Sequence, residues 1–177
     1  MAFKHFPSSA DSDPSPFKYV PLEEVERLEK YQPGGYHPIL IGDVLRSRYR
    51  VVHKLGYGTY STTWLCQDHQ SYEYVAIKVG TAESSTREVD ILDSLNHSPP
   101  LDHPGRAMIP SVRDRFVLHG PNGAHPCYVT ALAMCSVSGA KDGSYKRIFQ
   151  ASTARSLVAQ LVLAVEYIHA KGVVHGG

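Results

Sequence analysis

Residues 55–78 read LGYGTYSTTWLCQDHQSYEYVAIK, and this stretch decides the fold. It reads as strand, glycine turn, strand, connection, strand, and it ends on Lys78. Gly56 and Gly58 stand two apart in the turn, which lets backbone N–H groups approach something bulky and negative, such as a nucleotide phosphate. The last run is Val75-Ala76-Ile77-Lys78. A lysine at the end of a buried strand is costly unless an anion meets it. Taken singly, the glycines also suit an ordinary hairpin and the lysine a snorkelling surface position. Together they point to a triphosphate site.

Working outward, Tyr49 to Leu55 alternates Tyr49/Val51/His53/Leu55 against Arg50/Val52/Lys54, a strand signature. Ser61 to Asp68 and Tyr72 to Gly80 give two more strands, and the short links predict an antiparallel meander. From Thr81 to Leu95, Ile91 and Leu95 stand four apart and Val89 and Leu92 three apart, the spacing of a short amphipathic helix. Ser84 or Ser85 serves as its cap, and Ser85 with Glu88 matches a capping box. Pro99 and Pro100 end it. Val112 to His119 and Cys127 to Ala133 are the fourth and fifth strands, joined by the turn Gly120-Pro121-Asn122-Gly123. A Ser/Gly linker over Ser136 to Ser144 leads to a last helix, capped by Ser152 or Thr153. Its apolar face is Ala154, Val158, Leu161, Val165 and Ile168, widened by Leu157 and Ala164, and Gly172 stops it. That face must bury against something; exposed, it favours aggregation or a partner.

The outer parts are plainer. Residues 1–20, with Pro7, Pro14 and Pro16, lack the apolar content for a core and read as a mobile tail. Leu22, Val25 and Leu28 allow a turn or two of helix, an arm lying on the domain, and residues 31–38 are a turn cluster rich in Tyr, Gly and Pro. The 177 residues carry 18 basic and 17 acidic side chains, a net +1, with no charge block suited to nucleic acid or a membrane surface. Three cysteines, Cys66, Cys127 and Cys135, have no paired spacing and read as free thiols of a reducing compartment. No signal peptide or membrane-spanning run is visible, so the expected location is intracellular, cytoplasmic or nuclear. His97, His103, His119 and His125 fall at irregular loop spacings that do not suit zinc.

Five antiparallel strands with a helix after the third, then a linker and a long helix, form an α+β order. It resembles the small lobe of a protein kinase followed by the first long helix of an incomplete large lobe. Leu55-Gly56-Tyr57-Gly58-Thr59-Tyr60-Ser61 is similar to the kinase glycine-rich loop, and Val75-Ala76-Ile77-Lys78 to the third-strand lysine motif. Tyr36-His37-Pro38, Ile41-Gly42-Asp43, Arg48-Tyr49 and Ser61-Thr62-Thr63-Trp64-Leu65 resemble the SR-protein kinase family. Gly120-Pro121-Asn122-Gly123 and Cys127-Tyr128-Val129-Thr130 resemble a fungal branch of it. The likeness covers residues 31–177, with a small lobe over 31–135, the start of a large lobe over 136–177, and residues 1–30 outside it.

The resemblance implies roles. The loop Gly56 to Ser61, with Thr62 after it, lies over the phosphates of ATP. Leu55 and Thr63 bracket the adenine, with Thr63 where the family usually has Val, a near-isostere whose hydroxyl makes that wall wetter. Ala76 is the adenine ceiling, Lys78 holds the α- and β-phosphates, and Glu88 pairs with Lys78. Thr130 is the gatekeeper, and Ala131, Leu132 and Ala133 are the hinge. Val174-His175-Gly176 matches the approach to the catalytic loop, and Gly177 occupies the position of its Asp. The metal-binding Asn and the Asp-Phe-Gly motif of a complete kinase lie further on. The implied chemistry is transfer of the γ-phosphoryl group of ATP, with magnesium, to Ser or Thr of arginine-serine-rich proteins. The expectation for these 177 residues is a truncated, inactive piece. The rival expectation is a non-catalytic, degenerate lobe that binds a nucleotide or a partner.

Overall fold

Every second residue of a strand faces the same side of its sheet. Here Val51, Trp64, Cys66, Val75, Ile77, Val79, Cys127 and Val129 all fall on one side and are buried together. A computed structural model describes residues 26–99 and 102–174. The tail over 1–20, Leu22, Val25 and the run His175-Gly176-Gly177 lie outside the described residues.

The strands are β1 (Val44–Leu45), β2 (Tyr49–Gly58), β3 (Ser61–Asp68), β4 (Tyr74–Gly80), β5 (Val112–Gly120) and β6 (Gly123–Ala131). They form one six-stranded sheet in the order β1-β2-β3-β4-β6-β5, all pairs antiparallel. The five expected strands are present, and the two-residue β1 adds a sixth. Too short to show alternation, β1 gives no periodic signal. The fifth expected strand begins earlier, at Gly123, and ends at Ala131, so Leu132 and Ala133 follow it.

The alternation expected in β2 holds through Val51 and then breaks. Register shifts fall between Val51 and His53 and again between Lys54 and Gly56. Each bulge inserts a residue and turns the strand over. Lys54 therefore lies over the Trp64 ring, 5.1 Å from its centroid, while His53 and Leu55 leave the buried face. Ile39 and Leu45, from the segment before β2, help close the core.

Side chains draw the two ends of the curled sheet together. The Tyr49 ring stacks on Phe116 of β5 at 5.8 Å, and its hydroxyl donates to Asp114 at 2.7 Å. Arg46 reaches the same carboxylate at 2.6 Å. Arg48 holds Asp68 with two bonds, at 2.8 and 2.7 Å.

Helix α1 (Arg87–His97) follows β4. The expected capping box does not form: Thr86 occupies the cap with helical backbone angles and no capping bond. Its hydroxyl donates to Asp90 instead, and the Ser84 hydroxyl to Thr81 O. Glu88 and Asp90 in the first turn favour the helix dipole. The expected linker contains a short helix, α2 (Val137–Asp142), whose Ser136 cap accepts from Gly139 N–H at 2.9 Å. The last helix, α3 (Ala151–Ala170), starts after Gln150 without a side-chain cap, not at Ser152 or Thr153. Gly172, at φ +69°, stops it as expected.

The long helix docks through Tyr167, which is 1% exposed and donates its hydroxyl to Leu95 O of α1. The turn Pro104–Met108 packs closely against it, and His103 pairs with Glu166 at 2.6 Å. Val158 and Leu161, the middle of the expected apolar stripe, are exposed. Among the described residues, no helix is long and apolar enough to cross a membrane.

Candidate functional site

The face of the sheet opposite the core carries the polar residues. Pairing sets Lys78 of β4 between Thr63 of β3 and Tyr128 of β6, and Ala76 beside Thr130. Directly opposed residues share a face. Thr63, Ala76, Lys78, Tyr128 and Thr130 thus form one surface.

Glu88 comes down onto it from the first turn of α1. Lys78 Nζ donates to Glu88 Oε1 at 2.6 Å and Oε2 at 2.7 Å. Ten positions suffice, because β4 ends at Gly80 and a tight connection leads directly into α1. Tyr128 completes the cluster, donating its hydroxyl to Glu88 Oε1 at 3.0 Å, with the Lys78 ammonium 5.8 Å from its ring centroid. Burial, and then the Glu88 charge, push the Tyr128 phenol well above its ordinary range, so it is a donor at all ordinary pH. Tyr128 was not singled out from the sequence. Its signal was position: it stands two before Thr130, on the same face of the same strand.

Two cavities meet at this cluster. One, of about 660 Å³, lies beneath Gly58, Thr59, Tyr60 and Ser61 and reaches Lys78 and Glu88. The other, of about 650 Å³, is lined by Thr63, Ala76, Lys78, Glu88 and Thr130 and by apolar residues of α1 such as Ile91. Other sequence candidates stand apart. Leu55, Gly56 and Tyr57, on the last part of β2, line neither cavity, and Leu55 is 45% exposed. Thr62 faces the core side, where its hydroxyl accepts from Trp64 Nε1 at 3.0 Å. Ala131, Leu132 and Ala133 line neither cavity.

The glycine turn has room for a ligand. A Cβ at Gly56 would meet no atom within 4 Å, and one at Gly58 only Ser61 Oγ, at 3.9 Å. Neither residue has a positive φ. The fold itself does not require glycine there, so the space left by the missing side chains is open to an approaching group. Among the described residues, no group of three or more His, Cys, Asp or Glu could hold a metal ion.

A curled antiparallel sheet with a strand lysine clasped by the following helix, under a glycine turn, is the plan of a protein-kinase small lobe. No family model matches the chain. It is 34% identical over 158 residues to a serine/threonine protein kinase of Aspergillus fumigatus, covering 88% of this chain and 40% of that protein. It is 37% identical over 155 residues to SRSF protein kinase 3 of Homo sapiens, covering 84% of this chain and 27% of that kinase. It is 34% identical over 157 residues to protein kinase dsk1 of Schizosaccharomyces pombe, covering 85% and 29%. The chain belongs to the SR-protein-kinase family of the protein kinase superfamily. It spans less than half the length of these relatives.

Proposed function

We propose that residues 31–135 are the ATP-binding lobe of a serine/threonine kinase, and that residues 136–177 begin its large lobe. Lys78 holds the α- and β-phosphates, and Glu88, braced by Tyr128, fixes the lysine's direction. The turn Gly56 to Ser61 covers the phosphates. Thr63 and Ala76 bound the adenine and Thr130 stands behind it; by resemblance to the family, Leu55 and the backbone of Ala131 to Ala133, which lie outside the two cavities, complete its surround. The observation that carries this reading is the 2.6 Å Lys78–Glu88 pair standing between two cavities beneath an open glycine turn.

Bound ATP supplies the γ-phosphoryl group, and magnesium neutralises its charge. The family implies an intracellular, cytoplasmic or nuclear enzyme acting on Ser or Thr of arginine-serine-rich proteins. Gly177 stands where the family carries its catalytic Asp, and the 177 residues by themselves bind nucleotide without transferring phosphate. A second reading, a lobe that serves as a binding module, draws on the exposed Val158, Leu161 and Val162 of α3.

Thermal denaturation with ATP, with and without magnesium, tests the proposal. ATP at a hundredfold excess over its dissociation constant stabilises the chain by about 2.7 kcal/mol. Lys78→Ala weakens binding by roughly tenfold to a hundredfold, the worth of a charge-assisted hydrogen bond. A wild-type chain that ATP does not stabilise refutes nucleotide binding. Phosphate transfer to an Arg-Ser peptide by the purified chain refutes the claim of inactivity.

A further inference from the structure

The glycine turn is fastened from outside the sheet. Residues 30–36 form a strap across three loops. Gly34 N–H donates to Asn122 O at 2.8 Å in the β5–β6 turn, and Asn122 Nδ2 donates back to Tyr36 O at 2.6 Å. On the β4–α1 connection, Ala82 N–H donates to Gly35 O and Glu83 N–H to Gly34 O, both at 3.0 Å. Tyr36, 2% exposed, then reaches the glycine turn, where its hydroxyl donates to Gly58 O at 2.7 Å. The sequence permits so tight a strap because Gly34 adopts φ +87° and a Cβ at Gly35 would lie 1.9 Å from Lys30 O.

A trans peptide is planar, so its C=O and N–H point in opposite directions. Holding Gly58 O toward Tyr36 turns the Thr59 N–H away from the strap. Gly58 and Thr59 line the cavity that reaches Lys78, and Glu83, the strap's other anchor, lines it too. A second tether runs from Thr81 N–H to Tyr60 O at 2.9 Å. An untethered glycine turn samples many orientations, and ordering it on binding lowers affinity.

We propose that Tyr36 is a positioning residue for the nucleotide phosphates: its hydroxyl sets the Gly58–Thr59 peptide so that the turn is ordered before an anion arrives. This deepens the ATP reading and rests on it. The ring of Tyr36 also packs against Tyr31, 5.5 Å away, so its bulk is structural. Tyr36→Phe keeps that bulk and removes only the hydroxyl.

Two measurements on the 177-residue chain decide the matter. In hydrogen exchange without ligand, the amides of residues 58–61 exchange about fivefold faster in Tyr36→Phe, the loss of one neutral hydrogen bond, while β3 and β4 keep their protection. In calorimetric titration, affinity for ATP falls about fivefold, and affinity for adenosine, which has no phosphate, stays the same. Unchanged exchange at the turn overturns the proposal, as does an equal loss for ATP and adenosine. A wild-type chain that binds neither ligand sinks the ATP reading and the positioning role with it, while the exchange result still decides whether Tyr36 holds the turn.

Discussion

Gly105 sits where α3 meets the turn Pro104–Met108, and its replacement by alanine tests how the long helix is held. A Cβ there would stand 2.1 Å from Leu163 O and 2.7 Å from Tyr167 Cβ. An ordinary carbon–oxygen approach is about 3.3 Å, so something must move by on the order of 1 Å. Gly105 is not in the left-handed region, so alanine meets no backbone penalty and the effect is steric. Forcing the atoms together against helix backbone costs about 3 kcal/mol, the upper end for an overpacked core. Releasing α3 instead gives up the burial of Tyr167, about 2 kcal/mol, and its bond to Leu95 O, about 1 kcal/mol. Both routes reach the same size. Hydrogen exchange at residues 163–170 of Gly105→Ala should therefore show protection lower by about 3 kcal/mol. Trp64, the one tryptophan of the chain, lies in the sheet core and keeps its native fluorescence as the control. If α3 keeps its protection to within about 0.5 kcal/mol, the proposed docking is wrong.

Two further outcomes follow from buried charge and buried thiols. The bonds from Arg48, helped by Gln70 N–H and the Ser71 hydroxyl, hold the Asp68 carboxyl well below the ordinary carboxylate range. Its contribution to stability is whole above the unfolded pKa of about 3.9 and is lost as pH falls through the folded value. Asp114 is lowered as well, where hydrogen bonds from Tyr49 and Arg46 outweigh its burial, and adds to the same slope. Urea midpoints of Asp68→Asn should be lower at neutral pH and less steep below about pH 5, and a slope equal to wild type would count against the pair. Burial pushes the Cys66 and Cys127 thiols up to about 12, whereas Cys135 is exposed. Iodoacetamide at mildly alkaline pH should alkylate Cys135 alone in the folded chain and all three in urea, as peptide mass mapping would show; modification of Cys66 without unfolding contradicts the core.

The sequence made legible what depends on near neighbours. The strands Ser61 to Asp68 and Tyr72 to Gly80, the second found from Tyr74, the hairpin turn at Gly120 to Gly123 and the stop at Gly172 are local patterns, and each appears in the structure. Lys78 and Glu88 were paired by resemblance, and they meet. What escaped depends on distant partners. The bulges in β2 cannot be read from Val52 or Leu55, because a register shift is a property of two strands. Tyr128 enters the sequence reading only within the resemblance over Cys127 to Thr130, and its place at the cluster depends on α1, which sets a carboxylate 3.0 Å from its hydroxyl. The stripe on α3 was sound as a periodicity, yet Tyr167 and Gly105, sixty-two positions apart in the chain, decide which edge is buried. The caps failed for a different reason: Ser84, Ser85 and Thr86 all precede α1 and spacing alone does not choose among them, while α3 begins at Ala151, so Ser152 and Thr153 already lie inside it.

The contacts that draw Tyr49 to Asp114 also order the fold in time. These partners are 65 positions apart, and Arg46 is 68 from the same carboxylate. Strands β2, β3 and β4 can pair as neighbours as soon as they are made. Their outer end cannot be finished until β5 arrives from beyond the helix insert. A contact of that span must close a long loop before it returns any free energy, which slows folding more than it alters the final stability. A chain stopped before residue 114 has the glycine turn and Lys78 but lacks the strand that fastens their sheet. The sheet that carries Lys78 is therefore completed only after residues far along the chain have arrived.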